Sequence, residues 1–261
     1  MRTLHLLLLL FLLVTSSTFL SAQEGLSGKI TYEQIIDYQL AEAIDHPLWA
    51  DYIKDLPERG KTIQVLYFTG EQSFYAEDPD QKAIQSDQLK EALMKANYDK
   101  TPQPVVQQTY LHFGESQKTE QIAFMTRYFL VQSELEKPHW KLNGKQKKIE
   151  DYICMGAELE EKNKTLTAWF SPQIPVSVGP GTYFGLPGAI LGLEQNGEVF
   201  LLATQIELKA LEQELKPQLD KGQKVSSKKF EQIVQERTAQ YEKDRAARDK
   251  AMEKKEAYKK N

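Results

Sequence analysis

The sequence predicts an α+β fold that is mainly antiparallel β: one strongly curved sheet of about ten strands, an open half-barrel by analogy with periplasmic lipoprotein carriers, with inserted helices and a long C-terminal helix. Three observations predict it. Short β-branched and aromatic runs recur at roughly ten-residue intervals between turn residues, without the alternating helices that a parallel sheet requires. Asn196-Gly197 joins two of these runs, the strongest short-range hairpin signal in the chain. From Ser226 onward the composition becomes charged and helix-forming, with Ser226-Ser227 placed as an N-cap.

Taken in order, Gly28–Ile36 alternates Ile30 and Tyr32 with polar neighbours and reads as the first strand. A helical insert over about 39–55 follows, interrupted by Pro47. Lys61–Phe68 and Glu71–Ala76 flank Thr69-Gly70 as a hairpin. Pro79 and Pro102 bracket a second helical insert at about 80–98. Val105–Phe113, Thr119–Met125 and Arg127–Leu135 read as consecutive strands, and Pro138–Leu142 carries Trp140 into another. Ile149–Glu160 is expected to be one strand with two nonpolar faces, turning through Glu160–Lys164 into Thr165–Phe170. Ala189–Glu194 and Glu198–Leu208 form the Asn-Gly hairpin. The final helix carries an apolar stripe of Phe230, Ile233, Val234 and Tyr241, so its first half should dock and its distal half should project.

The chain has 261 residues, 41% apolar and 27% charged, which excludes collagen, low-complexity disorder and a polytopic membrane protein. Its N-terminus has the three parts of an export signal: a polar head with Arg2 and His5, the apolar run Leu6–Val14, and small residues from Ser16 to Ala22. Cleavage after Ala22 divides the chain into a signal peptide (1–22), a β-rich domain (23–225) and a basic helix (226–261). The mature protein is then expected to be soluble in the periplasm or at the periplasmic face of the outer membrane. With no cysteine near the cut, it is not a lipoprotein.

The net charge of −4 hides an asymmetry. Residues 23–208 hold 17 Lys+Arg against 27 Asp+Glu, and residues 209–261 hold 15 against 10. An acidic body argues against nucleic acid, which wants a basic stripe.

The stretch Trp169-Phe170-Ser171-Pro172-Gln173-Ile174-Pro175-Val176-Ser177-Val178-Gly179-Pro180, with Tyr183-Phe184-Gly185-Leu186-Pro187-Gly188-Ala189-Ile190-Leu191, resembles the signature of the GLPGLI family of secreted Bacteroidota proteins. Ala189 stands where the family name has leucine. Trp140-Lys141-Leu142, Lys148–Ala157 and the Lys228-Lys229-Phe230 helix start are also similar to its pattern. The resemblance implies no established activity. It does imply a setting, because such proteins are often encoded near TonB-dependent outer-membrane receptors.

Candidate chemistry is sparse. The glycine-rich segment lacks the Lys-Ser/Thr pair of a phosphate loop, so Gly185 and Gly188 read as backbone requirements and Pro187 as a stiffener. Tyr183, Phe184, Gly185, Leu186, Pro187, Gly188 and Ile190 remain candidate binding residues, because such a bend brings apolar side chains to a sheet edge. Cys154 lies mid-strand and reads as an inert buried thiol. His46, His112 and His139 show no metal-ligand spacing, so neither metal nor cofactor is expected. Adjacent aromatic pairs such as Tyr67/Phe68, Phe74/Tyr75, Tyr128/Phe129 and Trp169/Phe170 must point to opposite faces, so both faces are covered or one lines a hollow. The expected function is non-enzymatic: periplasmic binding of a hydrophobic ligand, or docking to an outer-membrane partner. The alternatives are a hydrolase with dispersed acids and histidines, and a structural envelope component.

Overall fold

The structure is a computed structural model, and it describes residues 26–37, 56–80, 100–161, 164–196, 198–209, 215 and 219–259. The expected signal peptide, the two expected helical inserts (apart from Asp80) and His46 lie outside the described residues.

Twelve strands form one sheet: β1 (Gly28–Asp37), β2 (Arg59–Phe68), β3 (Gln72–Glu77), β4 (Val105–His112), β5 (Gln117–Phe124), β6 (Arg127–Glu134), β7 (Lys141–Ile149), β8 (Tyr152–Glu161), β9 (Lys164–Ser171), β10 (Ala189–Gln195), β11 (Glu198–Leu208) and β12 (Gln223–Ser226). One helix, α1, runs from Ser227 to Lys259. The spatial order is β12-β6-β5-β4-β3-β2-β1-β11-β10-β9-β8-β7, so the sheet is open, with β12 and β7 at its edges. All pairs are antiparallel except β12, which lies parallel to β6.

Two differences from the sequence reading have local causes. Ile149–Glu160 is not one strand: Glu150 and Asp151 make a two-residue turn between β7 and β8. Glu150 sits at φ +47°, a conformation usually left to Gly or Asn, so no turn residue announces the bend. Second, β7 is rich in lysine and β12 is only four residues long, and neither carries the apolar alternation that marks a strand.

Registry separates two faces. On the inner face Ile30 lies beside Leu66, Tyr32 beside Gln64 and Ala203, and Phe170 beside Met155 and Ile190. The larger core gathers buried side chains from β1, β2 and β8–β11, with Ile174, Val176, Val178 and Leu186 from the β9–β10 connection. A second, smaller core lies at the other end of the same face. There Ile122, Phe124, Phe129 and Val131 meet Phe230 of α1, whose ring lies 5.2 Å from Phe129 and 6.4 Å from Phe124. The Ser226 hydroxyl accepts the Lys229 N–H and caps the helix, as the sequence suggests. Ile233 and Val234 continue the docked stripe, after which the helix surface is mostly exposed and polar.

Replacing Phe230 by Ala removes the only α1 ring in the smaller core. It should cost about 3 kcal/mol in chemical denaturation. Deleting 249–261, a polar stretch in which Asp249, Lys250, Ala251, Lys254 and Lys255 are exposed, should leave the melting temperature unchanged. A large loss on that deletion would show that the distal helix is docked.

Candidate functional site

The β9–β10 connection, residues 172–188, folds back over the inner face instead of turning tightly. Pro172, Pro175 and Pro180 keep it extended and out of helix, while Ile174, Val176 and Val178 alternate inward. Its backbone bonds to the strand that follows: Ala189 N–H donates to Ile174 O at 3.0 Å, and Ile190 N–H to Val178 O at 2.9 Å. Its start is fixed to β8, with the Ser171 hydroxyl donating to Ile153 O and the Gln173 side-chain oxygen accepting the Ile153 N–H. The buried Tyr32 hydroxyl donates to Ile190 O at 2.7 Å and ties the segment to β1.

The seven sequence-predicted binding residues divide by location. Phe184, Leu186, Gly188 and Ile190 are buried in the packing of this fold-back. Phe184 stacks on Phe113 at 5.3 Å, and its carbonyl accepts the Trp140 indole N–H at 2.8 Å. A Cβ on Gly188 would collide with the Ser171 carbonyl, so this close approach requires glycine. Gly185 sits at φ +95° against the Lys137 side chain. Gly185, Leu186 and Pro187 border a shallow hollow of about 380 Å³ with Lys137, Pro138, His139, Trp140 and Leu142. Tyr183, in edge contact with Trp140, faces a second and larger cleft.

That cleft, about 490 Å³, lies on the inner face between the Pro180–Tyr183 turn and strands β1–β5. Its lining mixes apolar side chains (Ile36, Tyr75, Val105, Val106, Phe200) with a polar set (Gln34, Thr62, Gln64, Glu77, Thr109, Glu120). The polar set follows from register. Gln34 and Thr62 are partners, as are Gln64 and Glu77, and Thr109 bridges Tyr75 to Glu120. The Thr62 hydroxyl donates to Glu77 at 2.8 Å, and Lys118 pairs with Glu120 at 3.0 Å. Sequence reasoning missed this row. Its signal was present, since β1 reads Ile30, Tyr32, Gln34 on one face and changes from apolar to polar midway.

Cys154 is buried on β8, and burial pushes its thiol up to about 11. Burial also raises the Tyr32 and Tyr75 hydroxyls above their usual range. His112 is held in the β4–β5 turn, where its Nδ1 accepts the Glu115 N–H, while His139 lines the shallow hollow. Among the described residues no three His, Cys, Asp or Glu side chains are grouped to hold a metal ion.

Two expectations follow. Gly188→Ala should lose at least about 2 kcal/mol in urea denaturation, while exposed Pro187→Ala should lose under about 1 kcal/mol. Because folding raises the Cys154 pKa from about 9 to about 11, its contribution to stability is intact below pH 9 and is lost as pH rises through 11. The wild-type chain should therefore destabilise over that window, and Cys154→Ala should fall less steeply. Equal slopes would remove the thiol from the account.

Comparison with known proteins places the geometry. Residues 156–192, spanning the end of β8, β9, the fold-back and β10, match the family described as "Protein of unknown function (Porph_ging)". No curated protein matches. The fold is similar to two solved structures of PNGF-II, in C2 and P21 space groups, each 13% identical, with TM-scores of 0.51 and 0.50. Each alignment covers 80% of this chain, and the chain spans about a third of the length of either structure (32% and 33%). The likeness is one of fold alone.

Proposed function

We propose that this chain is an exported, non-enzymatic binding or accessory protein that takes an amphipathic ligand, or a segment of an outer-membrane partner, in the cleft above β1–β5. The observation that carries this reading is the cleft itself. It is an open hollow of about 490 Å³, within the range of ligand sites, with apolar walls and a few convergent polar groups. The fold-back segment supports the reading in a second way. By burying Phe184, Leu186 and Ile190 it fixes the Pro180–Tyr183 rim, and a preformed rim lowers the ordering cost of binding.

Export, through the signal-like N-terminus, places this activity in the periplasm in our proposal. Membership of the GLPGLI family and the analogy to an open half-barrel carrier belong to the same proposal. Among the described residues no helix is long and apolar enough to cross a membrane, which is compatible with it.

The test uses the purified chain and the neutral apolar dye N-phenylnaphthylamine. Bound dye should brighten, and Gln107→Trp, which adds bulk at an exposed lining position, should weaken binding about ten-fold with an unchanged melting temperature. Equal binding by the variant would move the ligand elsewhere. Turnover of any compound, abolished by changing one polar side chain, would overturn the non-enzymatic reading.

A further inference from the structure

We infer that the cleft's occupant is a short basic, amphipathic peptide segment, an inference that rests on the binding reading above. Among the described residues lining the cleft, the charged ones are Glu77 and Glu120, and none is Lys, Arg or His. The adjacent cation, Lys118, is committed to Oε2 of Glu120, and Oε1 of Glu77 is committed to the Thr62 hydroxyl. Among the described residues each carboxylate keeps a second oxygen without a partner. The unmet need of the cleft is thus for positive charge with hydrogen-bond donors, and a lysine ammonium or arginine guanidinium supplies both.

The remaining lining fits a peptide body. Ile36, Val105, Val106 and Phe200 offer apolar contact for a side-chain stem, while a charged head reaches the acids. Gln34, Gln64, Gln107 and Thr109 present groups able to donate to and accept from a peptide backbone. Glu77 on β3 and Glu120 on β5 flank β4, so their strands lie about 10 Å apart. Two basic side chains separated by one residue in an extended segment stand about 7 Å apart, and their long stems span the difference.

The test titrates the full-length chain by calorimetry with capped hexapeptides alternating leucine with lysine, serine or glutamate. The lysine peptide should bind about ten-fold more tightly than the serine peptide, and the glutamate peptide should bind more weakly than either. Glu77→Gln with Glu120→Gln should abolish the preference for the lysine peptide over the serine peptide. If that double variant melts early, the comparison of the three peptides on the wild-type chain decides. Equal binding of all three would overturn the charge assignment while leaving the cleft as a binding site. If dodecylamine or N-phenylnaphthylamine binds and none of the three peptides does, the peptide assignment is overturned. Failure of dye and peptides alike would end the binding reading itself.

Discussion

The structure depends on the return of residues 172–188 across the inner face. Among the described residues no second sheet covers the open sheet, and an uncovered inner face would leave the apolar rows of β1, β2 and β8–β11 in water. The described residues supply two covers. The fold-back inserts Ile174, Val176, Val178 and Leu186 at one end, and the first turns of α1 insert Phe230 at the other. Between them lies the cleft, where the inner face of β1–β5 sets a polar row beside its apolar side chains. Gln34, Gln64 and Thr109 tolerate water where Ile30, Leu66 and Phe170 would not.

The outer face near β8–β10 is protected one residue at a time. Trp169 points to the face opposite its neighbour Phe170, and it is only 6% exposed. Its partners in register are Gly156 and Gly192. Lys147 then covers the ring, with its ammonium 4.3 Å from the centroid and held in an ion pair with Glu194. The lysines of β7 serve the free edge as well. Lys141, Lys145, Lys147 and Lys148 on one edge strand discourage pairing with a second copy. At the opposite edge, short β12 and Gly222, packed against the Tyr128–Phe129 backbone, limit the exposed ladder.

Much of this was legible in the sequence, and the exceptions share one cause. Hairpins announced by Thr69-Gly70 and Asn196-Gly197 were readable because glycine or asparagine marks a tight bend. The helix start was readable from Ser226 and the Phe230 stripe. The Cys154 thiol was readable as buried from its place between Ile153 and Met155. The Glu150-Asp151 turn and strand β7 were not, because a glutamate at φ +47° and a run of lysines carry no local strand or turn preference. Tertiary context makes them what they are. The cleft escaped for the same reason. A glutamine in a strand looks like a solvent-facing residue until register shows that it shares a face with buried Tyr32.

The family match and the cleft divide the molecule in an informative way. The matched residues, 156–192, hold the fold-back, its glycines at close approach and the Trp169 platform, which are the positions where geometry leaves the fewest substitutions open. Of the cleft, that span supplies the Pro180–Tyr183 rim, while most of the floor comes from β1–β5. A rim set by backbone constraint and a floor set by side-chain chemistry can vary independently. On the binding reading proposed here, a Gln or Glu exchanged on β1–β5 would alter what the cleft accepts without disturbing the segment that holds the sheet together. The fold-back is therefore the part fixed by backbone geometry, and the polar row beside it is the part free to change.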